Sequence, residues 1–162
     1  MGYVSDMRRR IGHDPLIFVG ASVLLADSKG RLLLQRRADN GLWGYHGGAA
    51  ELYEEVSAAA RRELKEETGL TAGNMTLFGV YSGPRTAYTY PNGDRASIVD
   101  VVYLCTDYTG TPHPQQGEVS ELRWFDPEEL PQDITPTCRP ALEEYARRAA
   151  ARSACSGIHP CG

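Results

Sequence analysis

The chain has no long apolar run. Nothing in it approaches the roughly 20 consecutive residues that a bilayer-spanning helix needs, so a membrane helix is excluded. No targeting signal is expected either. Met1 to Arg10 carries charge but no following apolar segment with a cleavage site. Asp6 stands where a myristoylation motif requires Ser or Thr. The cytoplasm is therefore the expected location. Cysteine is scarce: Cys105, Cys138, Cys155 and Cys161 form no CxxC pair and no zinc-ligand spacing, which argues against a zinc site. Cys105 lies in an apolar strand-like run and reads as a small buried hydrophobe. Cys155 and Cys161 sit in a tail rich in Ser and Gly and are expected as free thiols, able to pair if oxidised. Positive charge is not in excess, with 17 Lys and Arg against 21 Asp and Glu. The basic face that supports non-specific nucleic-acid binding is missing. An acidic protein that handles anionic phosphates must neutralise them locally, with a metal or a few cationic side chains.

What is present fits one folded domain. The 162 residues are 41% hydrophobic and 23% charged, ordinary globular usage and enough for a core without staples. Residues 5–11 suit a short helix with Ser5 as N-cap. Leu16 to Ala26 is apolar on both faces and reads as a central, covered strand. A turn at Asp27 to Gly30 leads to a second strand, Arg31 to Arg37, as in a hairpin. Ala38 to Gly48 carries four glycines and reads as a loop that approaches something closely. Glu54 to Thr68 is the strong helical segment, free of Gly and Pro and stopped by Gly69. Strands are expected at Asn74 to Tyr81, Ala96 to Thr106 and Glu121 to Phe125. Asp126 opens a short helical turn with Pro127 at its first position. Arg139 to Arg152 suits an amphipathic helix with Leu142 and Tyr145 inward. One mid-chain helix among strands able to pair antiparallel points to an α/β sandwich on a mixed sheet, not to serial βαβ units.

Chemistry concentrates in RELKEETGL, residues 62–70. At 100° per residue, Glu66 and Glu67 fall about 60° and 40° to either side of Glu63. Three carboxylates thus leave one narrow face at i,i+3 and i,i+4 spacings, where like charges destabilise. A solvated face relieved by Arg61, Arg62 and Lys65 is one reading. A hard divalent cation held by carboxylate oxygens is the other.

The surrounding spacing decides between them. From Gly48 the chain runs GAAELYEEVSAAARRELKEETGL. It places Gly48, Glu54, Arg62-Glu63-Leu64, Glu66-Glu67 and Gly69-Leu70 as nine fixed positions in 23 residues. This resembles the Nudix box at every fixed position. LLLQRR, LWGYHGG and a glutamate six residues before Trp124 are also similar to that family's usual surroundings. The resemblance covers roughly residues 15–148. It implies the Nudix fold, an α/β/α sandwich around a mixed β-sheet with the box as loop–helix–loop. The expected division is a Nudix domain over residues 1–152 and a disordered tail over 153–162.

The resemblance also implies roles. Glu66 and Glu67 match the main metal ligands, and Glu63 a further ligand or the general base. The Gly47 carbonyl matches a frequent ligand, since glycine lets backbone approach an ion. Glu54 and Arg62 match a brace between loop and helix, with Gly48 and Gly69 as the box's structural glycines. Glu118 matches a carboxylate outside the box that completes the metal site or activates water, with Glu121 as a rival. The implied cofactor is Mg²⁺, with Mn²⁺ as a substitute. Two departures stand out: His46 where the family often has Pro, and Tyr53 where it often has Gly.

A pyrophosphate linkage is polyanionic and repels hydroxide, so a site of this kind needs cations to screen it and a carboxylate to take a proton from water. The expected reaction is cleavage of such a bond in a small nucleoside diphosphate derivative. Arg36, Arg37 and Arg85 are candidate phosphate or sugar contacts. Trp43, Tyr88 and Tyr90 are candidate stacking surfaces, and His46 is either a phosphate contact or structural. The polar loop 82–94 is long enough to carry specificity. No residue distinguishes ADP-ribose, oxidised nucleoside triphosphates, dinucleotide polyphosphates or capped RNA. Nucleic acid and membrane are not expected partners, and a homodimer is compatible with the sequence. The alternatives are a nucleotide sensor without turnover, for which the carboxylate cluster is needlessly costly, and diphosphate isomerase chemistry, which calls for a reactive cysteine in the site.

Overall fold

The computed structural model describes residues 2–156. In chain order the elements are α1 (Tyr3–Ile11), β1 (Leu16–Ala26), β2 (Leu32–Arg37), β3 (Trp43–Gly44) and β4 (His46–Ala49). They continue with α2 (Val56–Thr68), β5 (Thr71–Ala72), β6 (Met75–Tyr81), β7 (Ala87–Thr89) and β8 (Arg95–Cys105). The last are β9 (Tyr108–Thr109), β10 (Val119–Phe125) and α3 (Arg139–Ser156), with single 3₁₀ turns at Pro84–Thr86 and Pro136–Cys138.

The doubly apolar run at β1 sits at the middle of the sheet, whose spine runs β10-β2-β1-β8-β6. β1 and β8 are parallel from Leu16↔Ala96 to Leu25↔Cys105, every other pairing between these strands is antiparallel, and a lone parallel bridge joins Trp43 to Ile134. The sheet is therefore mixed, as expected. Alternation along β1 divides its side chains between two cores. Val23 and Leu25 join Ala59, Ala60 and Leu64 of α2, while Leu24 and Ala26 join Ala141, Leu142 and Tyr145 of α3. One helix on each face gives the α/β/α sandwich.

Several boundaries differ from expectation, each for a physical reason. The glycine-rich stretch 38–48 is not all loop. β4 pairs with β1, setting Gly47 and Gly48 opposite Ser22 and Ala21. A Cβ on Gly47 would lie 2.4 Å from Ser22 Oγ, so these glycines permit a strand to approach. Gly2, not Ser5, is the N-cap of α1. Asp126 makes a hydrogen-bonded turn, its side chain accepting from the Glu128 N–H at 3.0 Å, and no helix follows. α3 continues to Ser156, past the expected end at Arg152, because Ala151, Ser153 and Ala154 do not interrupt it. The rest of the expected disordered tail, residues 157–162 with Cys161, lies outside the described residues. Cys105 is buried as expected, and Cys155 is an exposed free thiol. No helix among the described residues is long and apolar enough to cross a membrane.

Candidate active site

α2 begins after a loop that leaves β4 and ends at Gly69, whose φ of 73° makes the left-handed cap. Two of its last carbonyls are satisfied by the loop between β9 and β10: His113 N–H donates to Thr68 O at 2.8 Å and Gln115 N–H to Glu67 O at 3.1 Å. A Cβ on Gly69 would fall 2.1 Å from His113 Nε2, so glycine there also makes room for that loop. The docking fixes the segment that carries Glu118.

The three box carboxylates are graded by depth, as the helix angle requires. Glu67 is 8% exposed and its Oε2 accepts from the Gly47 N–H at 2.9 Å. Burial pushes its pKa up to about 8, against the pull of the Gln35 side chain and the Gly47 N–H, which favour the anion. Glu63 is half-buried against Gly48, where a Cβ would stand 2.5 Å from its carboxyl carbon. Burial raises its pKa too; Arg62 opposes this, while the charges of Glu66 and Glu118 add to it. Glu66 is exposed, 3.4 Å from Arg62 Nη1.

Arg62 holds the corner. Its Nε and Nη2 donate to Glu54 at 2.9 and 3.0 Å and its Nη1 to Glu63 at 2.6 Å. Through Glu54, Arg62 ties the loop before α2 to the helix. The guanidinium holds the Glu54 carboxyl below its usual range. Glu54 in turn accepts from the Glu51 N–H at 3.0 Å, closing the loop. Tyr53, in that loop, sits at φ 64° and is fully exposed.

Glu118 lies beside Gln35, Arg37, Asp39 and Glu67 around a cavity of about 170 Å³. Its rival Glu121 is on β10, where it pairs with Arg123. Among the described residues no three acidic, His or Cys side chains converge closely enough, as placed, to hold an ion. The donor chemistry nevertheless fits a hard cation. Glu63 and Glu67 bring carboxylate oxygens to the glycine strand, with Gly48 leaving room for Glu63 and the Gly47 N–H reaching Glu67 at 2.9 Å.

A second, larger cavity of about 390 Å³ adjoins Gly47 and Gly48. Asp100, 7% exposed, lies in its wall, accepting from Ser22 Oγ at 2.7 Å and Tyr45 Oη at 2.6 Å. Burial raises the Asp100 pKa and those two donors counter it. Gln35 Oε1 and Thr135 Oγ1, in the same wall, are buried without a hydrogen-bond partner. Arg37 borders both cavities. Its guanidinium is oriented by Asp39, at 2.9 and 2.8 Å.

The substrate candidates sort differently from the sequence reading. Arg37 is at the site, and Tyr90 lines the larger cavity with Tyr88 edge-on behind it at 4.9 Å. Trp43 is only 4% exposed, edge-on to Phe125 in the core, and offers no stacking face. Arg36 points away along β2, donating to Gly41 O at 2.9 Å. Arg85 pairs with Glu143 of α3 at 2.6 Å, outside both cavities. His46 is fully buried. Its Nε2–H donates to Leu33 O at 3.0 Å, leaving Nδ1 unpaired 3.7 Å from Glu67. Burial lowers its pKa to about 4, so the ring is neutral and this contact is not an ion pair. The sequence reading missed Asp100, Gln35, Ser22, Tyr45 and Thr135. An Asp inside an otherwise apolar strand, SIVDVVYL, was the available signal.

A mixed sheet between two helices, with an acidic helix face turned onto a glycine strand beside a cavity, defines the Nudix architecture. The chain matches the NUDIX domain over residues 17–145 and belongs to the Nudix hydrolase family. It is 31% identical over 110 residues to the ADP-ribose pyrophosphatase of Methanocaldococcus jannaschii, which covers 66% of this chain and 61% of that one. It is 42% identical over 115 residues to an isopentenyl-diphosphate Delta-isomerase of Nocardia farcinica, covering 67% of this chain and 63% of the isomerase. The chain thus spans less than two thirds of the length of these two relatives. A MutT NUDIX hydrolase of Burkholderia pseudomallei superposes with a TM-score of 0.68 at 31% identity, over 79% of this chain and 97% of that one.

Proposed function

We propose that the protein is a divalent-cation-dependent hydrolase that cleaves the pyrophosphate bond of a small nucleoside diphosphate derivative. The observation that carries this reading is the juxtaposition at Gly47 and Gly48. On one side stand Glu63 and Glu67, and on the other opens the cavity of about 390 Å³. Phosphates at the carboxylates leave the organic half in the cavity.

Glu63, Glu66, Glu67 and Glu118, with the Gly47 carbonyl, are the oxygen donors that would hold Mg²⁺, or Mn²⁺ in its place. When bound, such a cation supplies the positive charge that a polyanionic linkage needs before a nucleophile can approach. Arg37, aimed by Asp39 between the two cavities, adds a fixed cation for a phosphate oxygen. A carboxylate takes the proton of the attacking water. Glu118 is better placed than Glu63 for this, because Glu63 already holds the Arg62 guanidinium.

The similarity to an isomerase raises a second reading, and a thiol does line the cavity. Cys138 is its only source among the described residues, and burial pushes that thiol up to about 12. It is protonated at neutral pH and is not the reactive thiolate such chemistry needs. Phosphate and nucleotide release across a panel of ADP-ribose, nucleoside triphosphates, dinucleotide polyphosphates and isopentenyl diphosphate tests the proposal. Turnover of a nucleotide with Mg²⁺, abolished by EDTA, is expected. Metal-independent turnover, or isomerised isopentenyl diphosphate alone, overturns it.

A further inference from the structure

Helix α1 lies outside the matched NUDIX span of residues 17–145. Its sequence gives it one inward face. Tyr3, Val4, Met7, Arg8 and Ile11 recur at helical spacing and are half-buried, while Ser5, Asp6, Arg9 and Arg10 are exposed. None of its residues is fully buried, so little apolar area holds it. It is seated instead by two polar ties. At one end the Tyr3 N–H donates to Glu51 Oε2 at 2.7 Å, and Glu51 belongs to the box loop. At the other, Arg8 donates to Asp14 O at 2.6 Å, to Gly12 O at 3.2 Å and to Arg95 O, on β8, at 2.7 Å. The helix therefore reaches from the start of β8 to the box loop. Val4 and Arg8 line the cavity of about 390 Å³ in between.

We propose that α1 is a specificity element: Val4 and Arg8 form the outer wall against which the organic half of the substrate lies, opposite the Asp100 wall. This rests on the reading that the cavity takes that half while the box takes the phosphates. The lining suits a flat group with a polar edge. Val4, Phe18, Ile98 and the Tyr90 ring offer apolar faces, and a guanidinium plane stacks on aromatic rings. Gln35 Oε1, unpaired, and the Asp100 carboxylate offer acceptors for N–H groups at an edge. A nucleobase has that chemistry, and an inorganic phosphate chain does not. Arg8 acts both at the wall and as the tie that positions the helix.

Two variants and two ligands test this by titration calorimetry in the presence of Mg²⁺. The variants are a chain lacking residues 1–12 and Arg8→Ala, and the ligands are adenosine monophosphate and inorganic pyrophosphate. Both variants are expected to bind the nucleotide at least about tenfold more weakly than wild type. Their affinity for pyrophosphate should not change. Backbone hydrogen exchange in the full chain is expected to slow in residues 3–11 with the nucleotide and not with pyrophosphate. Unchanged nucleotide affinity in both variants overturns the proposal, as does an equal loss for both ligands, which marks general damage. If the truncated chain does not fold, Arg8→Ala alone decides. Wild type that turns over no nucleotide refutes the proposed function itself. Wild type that turns nucleotides over while the variants keep wild-type selectivity refutes only the role of α1.

Discussion

Two regions meet at Gly47 and Gly48, and they are built in opposite ways. The box corner is local. Its ties run from Arg62 to Glu54, eight residues away, and from Gly47 to Glu67, twenty away. The cavity beside Asp100 is assembled from distant strands. Asp100 is reached by Tyr45 across 55 residues and by Ser22 across 78. Gly20 makes room for it, since a Cβ there would sit 2.9 Å from Asp100 Oδ1. A local corner can be kept by spacing alone while the cavity varies around it. Under the proposed function, that separates the group that is cleaved from the group that is recognised.

The sharpest way to break this division is to mutate each side and ask which kinetic constant moves. Glu67→Gln keeps the side-chain volume and removes a charge from the corner, and kcat is expected to fall at least ~10²-fold. The metal-free fold should lose no stability, because the raised Glu67 pKa shows that its charge is disfavoured there. Glu118→Gln should cost kcat as well, and Glu121→Gln little, since Glu121 is occupied by Arg123. Asp100→Asn should act on the other constant, raising KM about tenfold with a smaller change in kcat. Equal losses of kcat from Glu67→Gln and Asp100→Asn would erase the distinction between the regions.

A thermal melt against pH, in chelator, sharpens the account of the corner. Glu67 has its pKa raised from 4.5 to about 8. A raised carboxyl contributes stability that is full below its unfolded value and is lost as pH rises through the folded one. His46 works the other way, being lowered from 6.5 to about 4, so its contribution is full above 6.5 and is lost on acidification. Between pH 6.5 and 8 only Glu67 of this pair acts. Tm is expected to fall over that interval and to stay level in Glu67→Gln. A wild-type Tm that rises with pH there would mean Glu67 is already ionised in the metal-free protein.

The smallest effect concerns the loop between the two regions. Tyr53 holds a left-handed backbone with its side chain wholly in solvent, so nothing in the fold offsets the strain. Tyr53→Gly is expected to stabilise the protein by up to about 1 kcal/mol in denaturant melts, with kcat unchanged. A loss of stability would show that the ring makes a contact in solution.

How much was legible follows from the same contrast. The bounds of β1, the helix with its glycine stop, the mixed sheet and the box corner could all be read in order along the chain. The helix stop and the box corner depend on neighbours close in the chain, whereas the mixed sheet rests on β1 pairing with the distant β8. The inward side of His46 and Trp43 could not be read, because four glycines disguised two short strands as loop and so hid which residues alternate toward the core. Arg36 and Arg37 looked equivalent until the strand set them on opposite faces. Asp100 was visible only as an oddity in an apolar run. Its donors come from segments that no spacing rule connects.

The central claim is that the corner directs water to phosphorus, and the position of an oxygen isotope tests it most directly. One nucleotide substrate turned over in ¹⁸O-labelled water with Mg²⁺ should give label on one phosphate product and none on a sugar carbon or base. Label on carbon, or no label in any product despite turnover, would contradict the account.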